Sequence, residues 1–475
     1  MTKCQRPLSH SILQGRPTLQ TMIKKIFSSQ LRINMASGLA ATIINIAAMA
    51  AAFPIYLHFL GYERYGVWLV LTTVLSFAQL GDLGIGQAIM KLVAEEYGRK
   101  DIEAIQQYVA TAMIILLVGG TVVMIAILGF KTQIIAAFNL SDNNAKIVSW
   151  LLPFIGILSI YVFIVQALNA TLSGLGRMDL ANYTQSLGRC VAVIVSAILL
   201  YSGRSIESLL IGNAFSYVFI HIVSLIYISR IAHIRFLRIE NLDTQRGKCL
   251  LRFGGAILGG TIISMLGSPF IKLMLSRYAG VATIPVYEIA FSASMQIRGL
   301  IEAGLRALMP EISRIGANMT RYAKDRISQI SRHAMKIIFF FGIPMYLAML
   351  ILATPLLQIW LGAKFIQTIP FVFRIMLVAT FINLLGVPSY YFLLGMGHVR
   401  DVFVARSITW LTSMALLTTV ALNTNHLSVT IVSLCLAFSW SLSSTYLIWR
   451  FRCAMRIYGK KVSSIEEPMF DIIHK

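Results

Sequence analysis

The sequence predicts an all-helical, polytopic membrane protein with about 12 transmembrane helices in two six-helix, pseudo-symmetric lobes. Three observations support this fold class: the apolar composition, the biased placement of basic residues, and an internal repeat. The chain is 57% hydrophobic and only 13% charged, with a mean hydropathy of +0.75. Soluble domains are about half apolar and about a quarter charged. A water-soluble globular protein is therefore excluded.

Long apolar runs without alternation locate the spans. A helix needs about 20 apolar residues to cross about 30 Å of hydrocarbon, and only helices or closed barrels satisfy the backbone there. In the first half the predicted spans lie near residues 33–58, 66–90, 107–129, 147–171, 180–201 and 206–228. In the second half they lie near residues 251–273, 283–308, 335–356, 369–394, 402–422 and 428–449.

The net charge of +22 is mainly a topology signal. With the N-terminus cytoplasmic, 31 of the 41 basic residues fall in cytoplasmic segments and 8 on the opposite side, while Arg189 and Arg298 lie inside helices. This distribution follows the positive-inside rule. Both termini are therefore predicted to be cytoplasmic, and no nucleic-acid partner is expected. The basic inner loops suit the anionic headgroups of membrane lipids.

An internal repeat relates the two halves. Four short matches occur in the same order at offsets of 217 to 221 residues. They pair Leu31-Arg32 with Leu251-Arg252, Thr42–Asn45 with Thr261–Ser264, Pro153-Phe154 with Pro370-Phe371, and Gly174–Arg177 with Gly395–His398. Because six is an even number of spans, both halves share one orientation, as in transporters that rock two bundles about a central site. Duplication kept only for packing is the alternative.

The repeat sets the predicted domain boundaries. Residues 1–30 form a basic cytoplasmic tail, 31–229 the N-lobe, 230–250 a cytoplasmic linker, 251–450 the C-lobe, and 451–475 a cytoplasmic C-terminal tail. The apolar run at residues 33–59 is longer than the core of a signal peptide, which has about 7 to 15 residues. The first span is therefore expected to be retained.

Four ionisable residues fall deep inside predicted spans, where charge is costly and usually functional. Arg189 and Arg298 are the candidate substrate-binding residues of a cavity. Asp82 and Glu302 differ by 220, the repeat offset, and are the candidate coupling carboxylates. The alternatives are mutual neutralisation of Arg298 and Glu302, which are four residues apart on one helix face, and a polar helix contact for Asp82. Glu288, Lys272 and Arg374 lie near span ends, where snorkelling would explain them.

Pro54 and Pro269 lie near the outer ends of the first and seventh spans, where a missing backbone donor permits a bend. Both are hinge candidates, although a proline is also tolerated near a helix end. No nucleotide-binding, hydrolase or metal-ligand motif is present, and the five cysteines are widely spaced without a CxxC. Neither a metal nor a cofactor is expected, and the protein is predicted not to be an enzyme.

Three motifs carry a family resemblance: Leu60–Trp68 (LGYERYGVW), Leu80–Gly86 (LGDLGIG) and Gly174–Arg177 (GLGR). Over about residues 30–455 the chain resembles the polysaccharide-transport, or O-antigen flippase, branch of the multidrug/oligosaccharidyl-lipid/polysaccharide (MOP) exporter superfamily. The resemblance implies a MATE-like, two-lobed carrier with a cationic cavity in a bacterial inner membrane. The second half departs from the pattern, because Tyr287-Glu288 replaces Tyr65-Gly66 and Gly397-His398 replaces Gly-Arg.

The resemblance implies that the carrier flips an undecaprenyl-diphosphate-linked oligosaccharide from the cytoplasmic to the periplasmic leaflet, for O-antigen or other surface polysaccharide biosynthesis including lipopolysaccharide. An H+ or Na+ gradient is the candidate driving force, a glycan polymerase is a candidate partner, and a monomer is expected. Two alternatives stay open: a drug or metabolite cation antiporter of the same superfamily, and a membrane glycosyltransferase.

Overall fold

A computed structural model describes residues 29–78, 84–232, 243–305, 312 and 321–473, and these ranges contain fourteen α-helices. In the first half they are α1 (Ser29–Ala78), α2 (Ile85–Arg99), α3 (Ile102–Gly129), α4 (Lys131–Ala137), α5 (Asp142–Gly174), α6 (Met178–Tyr201) and α7 (Glu207–Ala232). In the second half they are α8 (Thr244–Ala279), α9 (Thr283–Leu305), α10 (Arg321–Ile337), α11 (Ile343–Leu361), α12 (Thr368–Gly395), α13 (Val399–Thr424) and α14 (Val429–Ile473).

Nine helical segments of the described chain are long and apolar enough to cross a bilayer. They are Ala36–Ser76, Ile102–Gly129, Asp142–Gly174, Met178–Tyr201, Glu207–Ile231, Asp325–Lys364, Thr368–Gly395, Val399–Thr424 and Val429–Ile457. The first contains two predicted spans, because the non-helical Gly61 (φ 69°, ψ 179°) divides α1. Helices α8 and α9 coincide with the predicted seventh and eighth spans without being among the nine. The all-helical, multi-pass membrane fold is confirmed.

Two predicted spans differ from the observed helices. The second span, predicted as continuous over 66–90, is wrong: α1 ends at Ala78, and Gly84 takes a left-handed conformation (φ 69°) just before α2 begins. Hydropathy does not detect this break, because glycine lets the backbone change direction within an apolar run. The ninth span was predicted to begin at residue 335, but the helical chain starts at Arg321 and passes through a π-helical turn at Ile338–Gly342 before α11.

The early start of the ninth span has a physical cause. Helix α10 is polar overall, yet Ile327, Ile330 and Ala334 recur at helical spacing and are buried. Of this stripe, Ile327 and Ile330 pack with Ile312 and Phe392 in a small core. A helix with one narrow apolar face is amphipathic rather than membrane-spanning. A search for long apolar runs therefore does not detect α10.

The described chain packs as two compact units. Unit 1 contains the described parts of Met1–Ala52, Ala78–Lys131 and Trp150–Thr261, and unit 2 contains Phe53–Phe77, Thr132–Ser149 and the described parts of Ile262–Lys475. Each unit therefore takes segments from both sides of the predicted linker at residues 230–250. The division into an N-lobe and a C-lobe at that linker stays a prediction.

Small residues bring helices close together within each unit, as is typical of membrane helices. In unit 1 a Cβ added to Gly188 of α6 would overlap Ile220 of α7. In unit 2 a Cβ added to Gly386 of α12 would lie 3.0 to 3.1 Å from atoms of Ser444 in α14. Large apolar side chains instead cover the outer surface; Ile359, for example, is 83% exposed. A surface of this kind is stable only against lipid.

Candidate functional site

A cavity of about 470 Å³ lies inside unit 2, between α9, α12, α13 and α14. Its polar lining includes Arg298 and Glu302 from α9, Asn383 from α12, and Arg406 from α13. Two of the lining side chains are guanidinium groups and one is a carboxylate, so the lining includes more positive than negative charge. Arg298 and Glu302 are sequence-predicted site residues, and the structure brings both to this cavity.

Arg298 and Glu302 form an ion pair one helical turn apart. Arg298 Nη1 lies 3.1 Å from Glu302 Oε2, and each side chain is only 16% exposed. The Tyr391 hydroxyl donates a 3.0 Å hydrogen bond to Glu302 Oε1. Arg298 Nε is buried and has no hydrogen-bond partner within the described residues. Local neutralisation, the alternative considered from sequence, therefore occurs, while one donor of the guanidinium remains unused.

Arg406 supplies the second positive charge of the cavity. Its Nη2 atom donates a 2.8 Å hydrogen bond to the Tyr390 hydroxyl, and its guanidinium carbon lies 5.5 Å from the centre of the Tyr390 ring. None of the described carboxylates forms a salt bridge with Arg406. Sequence reasoning placed Arg406 among the cytoplasmic basic residues and missed it. Its position inside the predicted eleventh span, at residues 402–422, was the available signal.

Aromatic side chains form the apolar part of the cavity lining. Trp410 and Trp440 line it together with Phe291. The Phe291 ring lies 6.2 Å from Trp440, and a Cβ added to Gly267 would overlap the Trp410 ring. Gly267 therefore allows the Trp410 indole to lie directly against α8. Sequence reasoning missed these residues, because aromatic residues in a cavity wall have the same helical spacing as aromatic residues in a core.

Arg189 lies in unit 1, exposed on α6. An exposed apolar stripe on that helix contains Leu187, Ile194 and Ile198. Arg189 follows Leu187 by two positions, which places it about 200° around the helix from Leu187. The only other exposed polar residue near it on this face is Gln185. The guanidinium therefore points away from the face that is suited to lipid.

The remaining sequence-predicted residues have separate outcomes. Asp82 lies outside the described residues, so its role as a coupling carboxylate stays a prediction. Pro54 and Pro269 lie within continuous helix, and the break in α1 occurs at Gly61 instead. Their role as hinges also stays a prediction. Among the described residues no group of three or more histidine, cysteine, aspartate or glutamate side chains is arranged to hold a metal ion.

Lys272 and Glu288 form a second ion pair in unit 2. Lys272 Nζ lies 3.0 Å from Glu288 Oε2, with the side chains 12% and 19% exposed. Ser292 donates a 3.2 Å hydrogen bond to the other carboxylate oxygen, Oε1. Snorkelling is therefore the wrong explanation for these two residues: the two charges neutralise each other inside the protein.

In each unit a buried aspartate lies in the first turn of the helix that follows a glycine motif. In unit 1, Asp179 accepts two 3.0 Å hydrogen bonds from Arg177, from Nε and Nη2. These hydrogen bonds raise the pKa of Arg177 above its ordinary value. In unit 2, Asp401 accepts the same pair of bonds, at 2.9 and 3.0 Å, from Arg450. Sequence reasoning noted both glycine motifs but not the carboxylates that follow them.

Comparison with solved structures defines the class of protein to which this fold belongs. An inward-facing MATE-family multidrug resistance transporter of the MOP superfamily aligns with a TM-score of 0.70 at 14% identity, covering 91% of this chain and 96% of that chain. An outward-facing structure aligns with a TM-score of 0.61 at 14% identity, covering 90% and 96%. The fold is that of MOP-superfamily transporters.

A third similar structure is a MOP-superfamily transporter from Pyrococcus furiosus, for which a reverse polarity of the binding pocket suggests a different function. It aligns with a TM-score of 0.61 at 12% identity, covering 90% of this chain and 96% of that chain. Residues 31–316, more than half of the sequence, match the family described as "polysaccharide biosynthesis protein". The chain belongs to that family, and the resemblance inferred from its motifs is confirmed. A search of curated proteins by sequence found no significant match.

Proposed function

We propose that this protein flips a lipid-linked oligosaccharide, with an undecaprenyl-diphosphate carrier, from the cytoplasmic to the periplasmic leaflet of a bacterial inner membrane. The observation that carries the proposal is the cavity of unit 2, in which two guanidinium groups and one carboxylate lie beside an aromatic wall. Membership of a polysaccharide biosynthesis family supports an oligosaccharide as the cargo class.

The diphosphate is the part of the cargo that needs the protein most, because a charged group in hydrocarbon has a very unfavourable solvation free energy. Guanidinium groups bind phosphate oxygens through paired, charge-assisted hydrogen bonds. Two groups are suited to this role: the Nε donor of Arg298, and the guanidinium of Arg406, neither of which pairs with a carboxylate or other acceptor through these atoms among the described residues except for the Arg406–Tyr390 hydrogen bond. Arg189 in unit 1, on the helix face opposite the apolar stripe, is a further candidate phosphate-binding residue.

The aromatic wall suits the sugar part of the same cargo. Aromatic side chains offer a flat apolar face together with a polar edge, and sugar rings likewise have apolar faces bordered by hydroxyls. Trp410 and Trp440 would contact sugar faces, while Asn383 would hydrogen bond to hydroxyl groups. The lipid chain would remain in the bilayer, so that only the headgroup enters the cavity.

The Arg298–Glu302 pair provides a route for coupling to an H+ or Na+ gradient. A diphosphate that binds Arg298 competes with Glu302 for the same guanidinium. A carboxylate that loses its cationic partner in a buried site takes up a proton or a cation more readily. Asp82, at the repeat offset from Glu302, is the second candidate for this role.

The charge of the cavity separates this proposal from a drug or metabolite cation antiporter. A site for cations would be expected to present more carboxylates than guanidinium groups, whereas the charged lining residues of this cavity are Arg298, Arg406 and Glu302. A glycosyltransferase would need catalytic carboxylates facing a substantial loop, and Glu302 is instead held by Arg298 and Tyr391.

Flipping of a fluorescent undecaprenyl-diphosphate oligosaccharide by the purified protein in proteoliposomes tests the proposal. The native protein should move the lipid between leaflets, and Arg298→Gln and Arg406→Gln should each reduce the rate at least tenfold. Arg400→Gln is the matched control, because Arg400 is exposed on the same helix as Arg406 and does not line the cavity. Arg400→Gln should flip the lipid at the native rate.

A cellular measurement adds Arg189 to the test. In cells that lack their own flippase, the native chain should restore surface glycan, and Arg189→Ala should abolish it while the protein is still expressed in the membrane. Normal glycan export by Arg189→Ala would reject the role of that residue. Efflux of cationic dyes without flipping of the lipid would favour the antiporter instead.

A further inference from the structure

A second cleft, separate from the cavity described above, lies between α10 and α14 and has a volume of about 320 Å³. Ser328, Ser331 and Arg332 line it from α10, and Arg452 and Arg456 line it from α14. Phe451 and Met455 form its apolar floor, where they pack against the buried Ile312, Ile327, Ile330 and Phe392. The cleft thus combines three guanidinium groups and two hydroxyls with an apolar base.

The charge of this cleft is not balanced within the described part of the chain. None of its three arginines lies within salt-bridge distance of a described carboxylate; the one described acid of α10, Asp325, precedes Arg332 by two helical turns. Arg452 and Arg456 are also four residues apart on one helix face, a spacing at which like charges repel. An arrangement of this kind is stabilised by a bound anion.

The depth of the cleft indicates which anion is available. Arg452 and Arg456 follow the first residue of α14, Val429, by 23 and 27 positions. At 1.5 Å per residue they lie about 35 and 40 Å along the helix. A helix that enters the hydrocarbon near Val429 therefore carries them past its thickness of roughly 30 Å, to the headgroup region. Phosphate groups of lipids occupy that layer, and basic pockets between helices on the cytoplasmic side bind anionic headgroups.

We infer that this cleft is a binding site for the phosphate of an anionic phospholipid headgroup. The guanidinium groups of Arg332, Arg452 and Arg456 surround the phosphate, the serine hydroxyls of α10 donate further hydrogen bonds, and the first carbons of the acyl chains lie over Phe451 and Met455. The bound lipid joins α10 to α14. This assignment does not depend on what the protein transports.

The test uses the full-length protein purified in a nonionic detergent. Binding of a fluorescent phosphatidylglycerol is measured by titration, and the midpoint of thermal unfolding is measured with added phosphatidylglycerol, phosphatidylcholine or sodium phosphate. Phosphatidylglycerol should bind saturably and raise the midpoint by several degrees, whereas phosphatidylcholine and sodium phosphate should leave it unchanged. An equal rise with phosphatidylcholine or with sodium phosphate would overturn the assignment.

Variants locate the site. Each arginine near a membrane surface contributes about a fivefold change in lipid affinity, so Arg332→Gln and Arg452→Gln should each weaken phosphatidylglycerol binding about fivefold. The triple variant with Arg456→Gln should weaken it about a hundredfold. Arg326→Gln is the matched control, because Arg326 is exposed on the same helix but does not line the cleft.

The single variants keep the test decisive if the triple variant does not fold. Native affinity in both Arg332→Gln and Arg452→Gln would contradict the assignment, and so would an equal loss in Arg326→Gln, which would show a general surface-charge effect rather than a defined site.

Discussion

A similar loop follows one helix in each half of the chain. The two loops have the same backbone conformation, but the aspartate beside each loop bonds to different side chains. In the first loop, Gly174–Asp179, Gly176 has φ 78°; in the second loop, Gly395–Asp401, Gly397 has φ 80°. In both, the residue after this glycine donates a backbone hydrogen bond five residues back along the preceding helix, from Arg177 to Leu172 and from His398 to Leu393. This is the Schellman helix ending.

The side chains around the two aspartates differ. Asp179 is held by Arg177, two residues away, and accepts one 3.0 Å hydrogen bond from the neutral amide of Gln30 in α1. Asp401 is held by Arg450, which comes from α14, and His398 Nδ1 lies 3.4 Å from it. The second loop therefore joins two helices through a pair of opposite charges, whereas the first joins them through hydrogen bonds of neutral amide side chains. The two halves therefore share the turn and differ in the tertiary contact made by the aspartate.

The largest effect is expected at the charged pair of the second loop. Arg450→Gln should lower the free energy of unfolding by about 2 kcal/mol, because a paired hydrogen bond to a buried carboxylate is lost between two helices. Thermal and chemical unfolding in detergent measure this change. Arg400→Gln, an exposed arginine near the start of α13, should leave stability unchanged. A loss no larger than that of the control would show that the pair contributes nothing.

The next effect is expected at Asn34, which ties α1 to the first loop. Its side chain donates to the Gly176 carbonyl at 3.1 Å and accepts from the Asp179 backbone at 3.1 Å. Asn34→Ala should destabilise the protein by about 1.5 kcal/mol, because it removes two neutral hydrogen bonds worth about 0.5 to 1.5 kcal/mol each, one of them exposed. Gln30→Ala should cost a similar amount, because Gln30 Nε2 donates to Asn34 and to the Asp179 carboxylate. Native stability in either variant would contradict this view of the first loop.

The two loop glycines should behave alike. Gly176→Ala and Gly397→Ala should each destabilise by about 1 kcal/mol, because a residue with a Cβ is strained at positive φ, while no atom stands within 4 Å of the added Cβ at either position. Gly98→Ala is the matched control, since Gly98 is helical with open space around it and should be neutral or stabilising. Clearly unequal effects in the same unfolding assay would mean that the turns are not equivalent.

The smallest effect is expected at Arg177. Arg177→Gln should change the unfolding free energy by about 0.5 kcal/mol or less, because its side chain is 36% exposed and its partner lies in the same turn. Comparing this variant with Arg450→Gln in one unfolding assay sharpens the contrast between the loops. A loss as large as that at Arg450 would show that the local pair also stabilises tertiary structure.

Several features of the fold could be predicted from sequence because they depend on local composition. The length of the apolar runs and the positions of the charged residues predicted most of the spans, because a helix in lipid needs a nearly continuous apolar surface. The break at Gly61 falls between the predicted first and second spans. The break at Gly84 could not be predicted, because glycine also occurs within regular membrane helices. Helix α10 was missed because only its narrow buried stripe is apolar.

The candidate site could be predicted only in part. Arg298 and Glu302 were identifiable, because a charge within an apolar run is unusual wherever the chain folds. Arg406, Trp410 and Trp440 were not, because an arginine near a span end and aromatic residues at helical spacing have ordinary explanations. Arg189, Asp82, Pro54 and Pro269 stay predictions, of which only Arg189 now has a helix face that supports its role.

The sequence by itself determined that this protein is a helical, multi-pass membrane protein, because the solvation free energy of apolar and charged side chains acts on each segment independently. Only the tertiary structure decided that Arg298 and Arg406 face one cavity, that Arg450 rather than a neighbour holds Asp401, and that three arginines from α10 and α14 share one cleft. Those contacts join residues from different helices, and no local sequence pattern specifies which residues of different helices lie close together.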